Sequence, residues 1–140
     1  MRIEPPPVHP VDQPVERIAS SPVLCVQATD RLADAARLMA ERSVSFVPVT
    51  DPAGQPLGVV SETGLLAVLR GQLDRSAPVT SALSPLVVVA GDLPCDQAYQ
   101  LCLERGVSHL GIVDGQGCLT AVVSETDFRR LLNLSALAGR

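Results

Sequence analysis

Two four-residue segments carry the polar groups best suited to hold a ligand. Residues 124–127 are Ser-Glu-Thr-Asp, and residues 61–64 are Ser-Glu-Thr-Gly. At the start of a helix, a Ser hydroxyl and the free backbone amides suit a phosphate, and a carboxylate three residues later suits the two vicinal hydroxyls of a ribose. The same spacing is close to a capping box, which satisfies the helix amides without any ligand. Because Gly64 has no side chain, only the segment that ends at Asp127 offers both groups.

Residues for catalysis and metal binding are scarce. All 11 basic residues are Arg, which excludes Schiff-base chemistry and a phosphate-loop Lys. The chain has two His, one of them in a Pro-rich stretch, and no nucleophile is arranged with a base and an orienting group. The Cys residues at 25, 95, 102 and 118 form no CxxC pair and lack a His at zinc-site spacing. We therefore expect reduced, mostly buried cysteines, no metal and no enzyme activity.

Composition excludes two classes of partner. The 140 residues carry a net charge of -4 and only 2% aromatic side chains, which argues against a nucleic-acid surface. Apolar runs such as Leu86 to Ala90 are far shorter than the roughly 20 residues needed to span a bilayer. The chain also opens without a secretory signal pattern. We expect a cytoplasmic protein that binds neither nucleic acid nor membrane.

An internal duplication organises the chain. Residues 41–63 and 104–126 are identical at 11 of 23 aligned positions, at a constant offset of 63. Each copy predicts the order strand, helix, strand, strand, helix, with turns at 51–54 and 114–117. The last helix of each copy begins after Ser61 or Ser124, which suit the N-cap. We therefore predict an α/β (α+β) fold in which two pseudo-symmetric β-α-β-β-α repeats pack sheet to sheet.

The same pattern sets the expected domain boundaries. Residues 1–14 contain five prolines and are predicted to form an extended tail, or alternatively a PxxP ligand for another domain. Repeat 1 covers 15–70, a connector covers 71–78, repeat 2 covers 79–135, and 136–140 form the C-terminal end.

The two repeats, with their D-x-x-G turns and G-h-h-S/T-x-x-D endings, resemble a tandem pair of cystathionine-β-synthase (CBS) domains, the Bateman module. The resemblance covers residues 15 to about 134. It implies a sensor without catalytic activity that binds adenine nucleotides or adenosyl ligands in clefts between the halves and regulates an attached or partner domain. It also implies dimerisation into a flat disc. Within this frame, ligand binding becomes the preferred interpretation of Ser124 and Asp127.

The resemblance also assigns the remaining walls of the cleft that contains Asp127. The first-strand segment would contact the base, the second strand the sugar and ring face, and one residue before Ser124 the apolar floor. Phe46 could stack on adenine or belong to the core, and His109 could face a phosphate or pack as a core residue. The predicted ligand-binding residues are Asp127, Ser124, Val122, Ala19, Pro22, Val23, Leu24, Val44, Ser45, Phe46 and His109.

The leading functional hypothesis is a regulatory module that senses AMP, ADP, ATP or S-adenosylmethionine in one cleft, with no obligatory cofactor. Gly64 leaves the opposite cleft without its carboxylate. The alternative hypothesis is a ligand-free dimerisation or protein-interaction module whose clefts are vestigial. A homodimer is expected in either case, because the last helices carry more apolar residues than one buried stripe needs. These residues are Leu65, Leu66, Val68, Leu69, Phe128, Leu131 and Leu132.

Overall fold

The computed structural model describes residues 10–20 and 23–138. In chain order its strands and α-helices are β1 Val26–Gln27, α1 Leu32–Arg42, β2 Phe46–Thr50, β3 Pro56–Ser61, α2 Glu62–Leu69, β4 Val88–Ala90, α3 Cys95–Arg105, β5 His109–Val113, β6 Leu119–Ser124 and α4 Glu125–Ala138. Short 3-10 helices cover Pro10–Asp12, Val15–Arg17 and Val79–Ala82. Helix α4 therefore continues past the expected repeat boundary at 135.

The two halves of the chain repeat one another strand for strand. Each half has a three-stranded sheet in which the first strand runs parallel to the second and the second antiparallel to the third. The pairing of Phe46 with Ser61 recurs as the pairing of His109 with Ser124. The predicted α+β fold with two pseudo-symmetric repeats is confirmed.

Local sequence explains where the main helices and turns end. The Arg31 amide donates to Oδ2 of Asp34 at 2.9 Å and opens α1. Helix α3 ends at Gly106, whose φ of 64° suits glycine, and α1 ends at Ser43, whose φ of 54° is uncommon for a residue with a side chain. In both hairpin turns an Asp side chain, Asp51 or Asp114, accepts hydrogen bonds from amides two and four residues later.

The segment before each half packs against the other half. Val15 is fully buried in the core of the second half, and its amide donates to the Leu93 carbonyl at 2.8 Å. Val79 is buried in the same way in the core of the first half, and its amide donates to the backbone carbonyl of Asp30 at 2.8 Å. The 3-10 helix Pro10–Asp12 contacts α3 and α4. Residues 10–14 are thus held against the second half, and residues 1–9 of the predicted tail lie outside the described part.

Backbone pairs and side-chain contacts join the two halves into one unit. Ser20 exchanges hydrogen bonds of 2.8 and 3.3 Å with Val122 of β6, and Ser84 exchanges two bonds of 2.8 Å with Val59 of β3. Near the hairpin turns, the Leu119 amide donates to the Gly54 carbonyl at 2.9 Å. The predicted sheet-to-sheet packing of the repeats is therefore confirmed.

The last helices of the two halves differ in exposure. Phe128 and Leu131 of α4 are buried in the core of the second half, so the expectation that they add to a free apolar surface is wrong. Tyr99 of α3 packs on Phe128 with ring centroids 5.4 Å apart, and the N-terminal segment covers both helices. Leu66 and Leu69 of α2 are exposed, and so is Leu132 of α4, at 40% against 41% for Leu66. No helix in the described ranges is long and apolar enough to cross a bilayer.

The cysteines are unbonded. Cys95 and Cys102 are buried, and Cys25 and Cys118 are half-buried. Burial, aided by the nearby Glu125 carboxylate, raises the pKa of the Cys102 thiol to about 11. Such a thiol is a packing residue rather than a nucleophile at neutral pH.

The position of Val15 predicts that the N-terminal segment contributes to the stability of the second half. Val15→Ala should lower the free energy of unfolding by about 2 kcal/mol, because it removes methyl groups from a full core. Arg17→Ala, at an exposed position of the same segment, should change it by less than about 0.5 kcal/mol. Urea denaturation of both variants checks this. Equal, small effects would show that the segment is not part of the core in solution.

Candidate functional site

A cavity of about 300 Å³ lies where the start of α4 faces the start of β2 across the interface of the two halves. Residues of β6 and α4 form one wall. The turn after α1 and the strand β2 form the opposite wall, and the chain before β1 forms the third. Its lining residues are Ser20, Val23, Leu24, Ser43, Val44, Ser45, Phe46, Val47, Pro48, Val122, Ser124, Thr126 and Asp127.

Asp127 is the acidic group of this cavity, and it also caps α4. Its Oδ2 accepts hydrogen bonds from the Ser124 amide at 2.8 Å and from the Ser124 hydroxyl at 3.2 Å. Within the described part of the chain, Oδ1 makes no hydrogen bond. The two interpretations of the Ser-x-x-Asp motif are therefore compatible, since one oxygen serves the helix and the other is available to a ligand.

The opposite wall is built by the turn from α1 into β2. Ser43 adopts the left-handed conformation there, at the position where the second half has Gly106. A residue with a side chain in this conformation costs on the order of 1 kcal/mol, and such costs are often found at functional sites. Ser43 lines the cavity, followed by Val44, Ser45 and Phe46.

Most of the predicted site residues meet in this cavity. The lining includes Asp127, Ser124, Val122, Val23, Leu24, Val44, Ser45 and Phe46. Ala19 lies outside the lining and packs against the core of the second half. Pro22 falls outside the described residues.

His109 packs against another ring, which is one of the two alternatives that its sequence position left open. Its ring stacks on the ring of Phe46, with centroids 4.2 Å apart and planes at 12°. These two residues occupy equivalent positions in the two copies, so the stack joins the halves at their pseudo-symmetry axis. Burial lowers the pKa of His109 below its ordinary value of 6.5. The ring thus lies against Phe46 and outside the cavity lining, in agreement with the packing alternative.

The equivalent position on the other side of the molecule is built differently. The Ser61 hydroxyl accepts a hydrogen bond from the Gly64 amide at 3.3 Å, which caps α2. A side chain added at Gly64 would meet the Ala82 carbonyl at 3.4 Å and the Ala82 methyl at 3.6 Å. The acidic group is therefore missing at this position, and Ala82 lies within van der Waals contact of the place where its Cβ would be.

Sequence reasoning missed several lining residues. Ser20, Ser43, Val47, Pro48 and Thr126 complete the cavity. The Ser43 to Gly106 difference between the copies is a detectable signal for Ser43, because a helix normally ends in glycine at such a position. Ser20 gave no signal, since its place depends on pairing with Val122, which is remote in sequence. No cluster of three metal-ligating side chains occurs among the described residues.

Comparison with known proteins gives a consistent picture. The family model described as "CBS domain" matches residues 15–71 and again residues 79–134. An inosine-5′-monophosphate dehydrogenase from Mycobacterium leprae is 28% identical over 113 residues, which are 79% of this chain but only 20% of the dehydrogenase.

Solved structures share the fold. A CBS domain protein from Pyrobaculum aerophilum, complexed with AMP, has a TM-score of 0.79 at 22% identity and covers 89% of this chain and 98% of its own. The CBS domain pair of protein MJ0100, in complex with 5′-methylthioadenosine and S-adenosyl-L-methionine, has a TM-score of 0.76 at 19% identity, over 85% of this chain and 98% of its own.

The buried His109 ring predicts a pH dependence of stability. Because its pKa is lowered in the folded state, the unfolded chain binds the proton more readily. The stability that the neutral ring provides should be fully present above about pH 6.5 and should fall as the pH drops below that value. His109→Phe keeps an aromatic stack but does not titrate. Urea denaturation at pH 5.5, 6.5 and 7.5 should show wild type losing more stability toward low pH than this variant, and parallel curves would contradict the prediction.

Proposed function

The chain belongs to the CBS domain family, and from that membership we propose that it is a regulatory module that binds an adenosine-type ligand in the cleft at Asp127. The observation that carries the proposal is the convergence of a carboxylate with an available oxygen and an apolar wall in one cavity between the halves. Related CBS proteins in complex with AMP, and with 5′-methylthioadenosine and S-adenosyl-L-methionine, support this class of ligand. We propose no catalytic role.

The ligand would be held by complementary polar and apolar contacts. Oδ1 of Asp127 suits the vicinal hydroxyls of a ribose, which are hydrogen-bond donors. Val23, Val44 and Val122 provide apolar surface for a flat base. One face of Phe46 is used by His109, so a base that stacks on Phe46 would use the other face.

One ligand per chain is expected. The pseudo-symmetric position of Asp127 is Gly64, which offers no acceptor, and Ala82 lies against it. The second cleft therefore lacks the ribose acceptor.

The N-terminal segment is the proposed route of the signal. Ser20 lines the cavity and pairs with Val122, and the chain just before it packs on α3 and α4. A ligand that contacts Ser20 and Asp127 together would favour the state in which Ser20 is hydrogen-bonded to Val122. An attached or partner domain near α3 and α4 would experience that change.

The alternative function, a dimerisation or protein-interaction module, is favoured by a separate observation. A groove of about 840 Å³ lies between α1 and α2, with Leu69 83% exposed and Leu66 41% exposed. In the second half the equivalent of Ala36 is Tyr99, which fills the space, and the equivalent of Leu66 is Arg129, which pairs with Glu125 at 2.7 Å. Only the first half keeps this groove in open, apolar form.

We propose that a second copy of the chain covers this groove in a homodimer. The rim carries both signs of charge, with Glu62 on one helix and Arg37 on the other. In a two-fold dimer each rim meets a rotated copy of itself, so Glu62 of one copy can approach Arg37 of the other. The homodimer is compatible with ligand sensing, because the cavity at Asp127 shares no lining residue with the groove.

The sensing proposal predicts a ligand-induced increase in melting temperature that depends on Asp127. An adenosine-type ligand at about 100 times its dissociation constant should add roughly 2.7 kcal/mol, or about 5 to 15 °C for a chain of this size. Asp127→Ala should abolish the increase, whereas Asp92→Ala, at an exposed carboxylate away from the cavity, should retain it. Each variant is compared with its own ligand-free melting curve, since losing the cap alone costs about 1 kcal/mol. An increase that survives Asp127→Ala would place the ligand elsewhere.

The dimer proposal predicts a solution mass of twice 14.7 kDa at tens of micromolar protein. Leu66→Arg introduces the residue found at the equivalent position of α4, so it should keep the fold and convert the dimer to a monomer. Leu103→Arg, on an exposed part of α3 outside the groove, should leave the dimer intact. Light scattering after size exclusion measures all three proteins. A monomeric wild type would refute the homodimer.

A further inference from the structure

We infer that the Asp127 cleft selects a phosphate-free, nucleoside-type ligand over the corresponding nucleotides. This rests on the proposed function of the cleft and adds the class of ligand. It follows from the charges, the hydrogen-bond donors and the size of the cavity.

The charge of the cavity opposes a phosphate. Asp127 is the only ionisable side chain in the described lining, and the remaining polar side chains are hydroxyls, on Ser20, Ser43, Ser45, Ser124 and Thr126. A phosphate would bring two negative charges near this carboxylate without a compensating cation in the lining. The repulsion is strengthened by the partly apolar surroundings, where the effective dielectric constant is lower than in water.

Three of the donors at the start of α4 already have protein acceptors. The Ser124 amide and hydroxyl both donate to Asp127. The next amide, of Glu125, donates to the Ser108 carbonyl at 2.7 Å. These donors at the start of α4 are therefore hydrogen-bonded to protein acceptors. The bonds from Ser124 to Asp127 would have to break before Ser124 could hold a phosphate.

Neither His109 nor Arg42 supplies the missing charge. The His109 ring is stacked on Phe46 and outside the lining, and its burial favours the neutral form. Arg42, in the last turn of α1 beside Ser43, is exposed and absent from the lining. A nucleotide would have to recruit Arg42 from solvent at the expense of side-chain entropy.

The size of the cavity agrees with this selection. A volume of about 300 Å³ is at the lower end of the range for small-molecule pockets. A nucleoside would bury its base and sugar there.

Calorimetric titration of the full chain with adenosine, AMP and ATP tests the inference. Adenosine should bind most tightly, AMP on the order of tenfold more weakly, and ATP no better than AMP, because each phosphate charge is repelled by Asp127. Raising the salt concentration should leave the adenosine affinity unchanged. It should reduce the difference between the adenosine and AMP affinities, since salt screens the repulsion between the phosphate and Asp127.

Two variants identify the cause of the preference. Asp127→Asn removes the charge at nearly constant size, so the ratio of the adenosine and AMP affinities should fall toward one. Arg42→Ala should leave both affinities as in wild type. If AMP or ATP binds more tightly than adenosine and Asp127→Ala abolishes that binding, the inference is wrong and the sensing function stands. If none of the three ligands binds, and S-adenosylmethionine in the same titration does not bind either, the proposed function fails and the inference fails with it.

Discussion

Backbone pairing between each half and the segment that precedes the other half is the constraint on which this structure depends. Ser20 pairs with Val122 of β6, and Ser84 pairs with Val59 of β3. A three-stranded sheet with helices on one face leaves apolar surface that it cannot bury alone. The exchange, together with the burial of Val15 in the opposite core, makes folding of each half depend on the other. It also creates a cleft whose walls come from both halves, so that a ligand there contacts both of them.

The duplication gives two halves with equivalent backbones, and a few residue differences give the two halves different surfaces. Asp127 faces a cavity, whereas its counterpart Gly64 lies against Ala82. Tyr99 fills the outer groove of the second half, whereas its counterpart Ala36 leaves the groove of the first half open. The polar site is thus centred on the second half and the apolar groove belongs to the first. A module of this kind can bind a ligand through one surface and a second copy through another without competition between them.

The order of strands and helices could be predicted because the constant offset of 63 repeats the same local pattern twice. Asp127, Ser124 and the residues of β2 could be predicted because the family resemblance carries over at matching positions. The partner of Val15 could not, since a Pro-rich neighbourhood suggests an extended chain and burial is decided by a half that is remote in sequence. The stack of His109 on Phe46 was missed for the same reason, because neither residue's own neighbourhood reveals a contact across the pseudo-symmetry axis. The hydrogen bond from the Ser124 hydroxyl to Asp127 depends on the conformations of both side chains, which the sequence does not specify.

The central claim is that one of two pseudo-symmetric clefts binds an adenosine-type ligand. Amide chemical shifts of the isotope-labelled chain, followed by NMR during titration with adenosine, compare both clefts in a single experiment. The account predicts saturable changes at Phe46, Ser124 and Asp127, with one common dissociation constant, and little change at the equivalent positions Ser61 and Gly64. Equal changes in both clefts, or changes centred on Ser61 and Gly64, would contradict it.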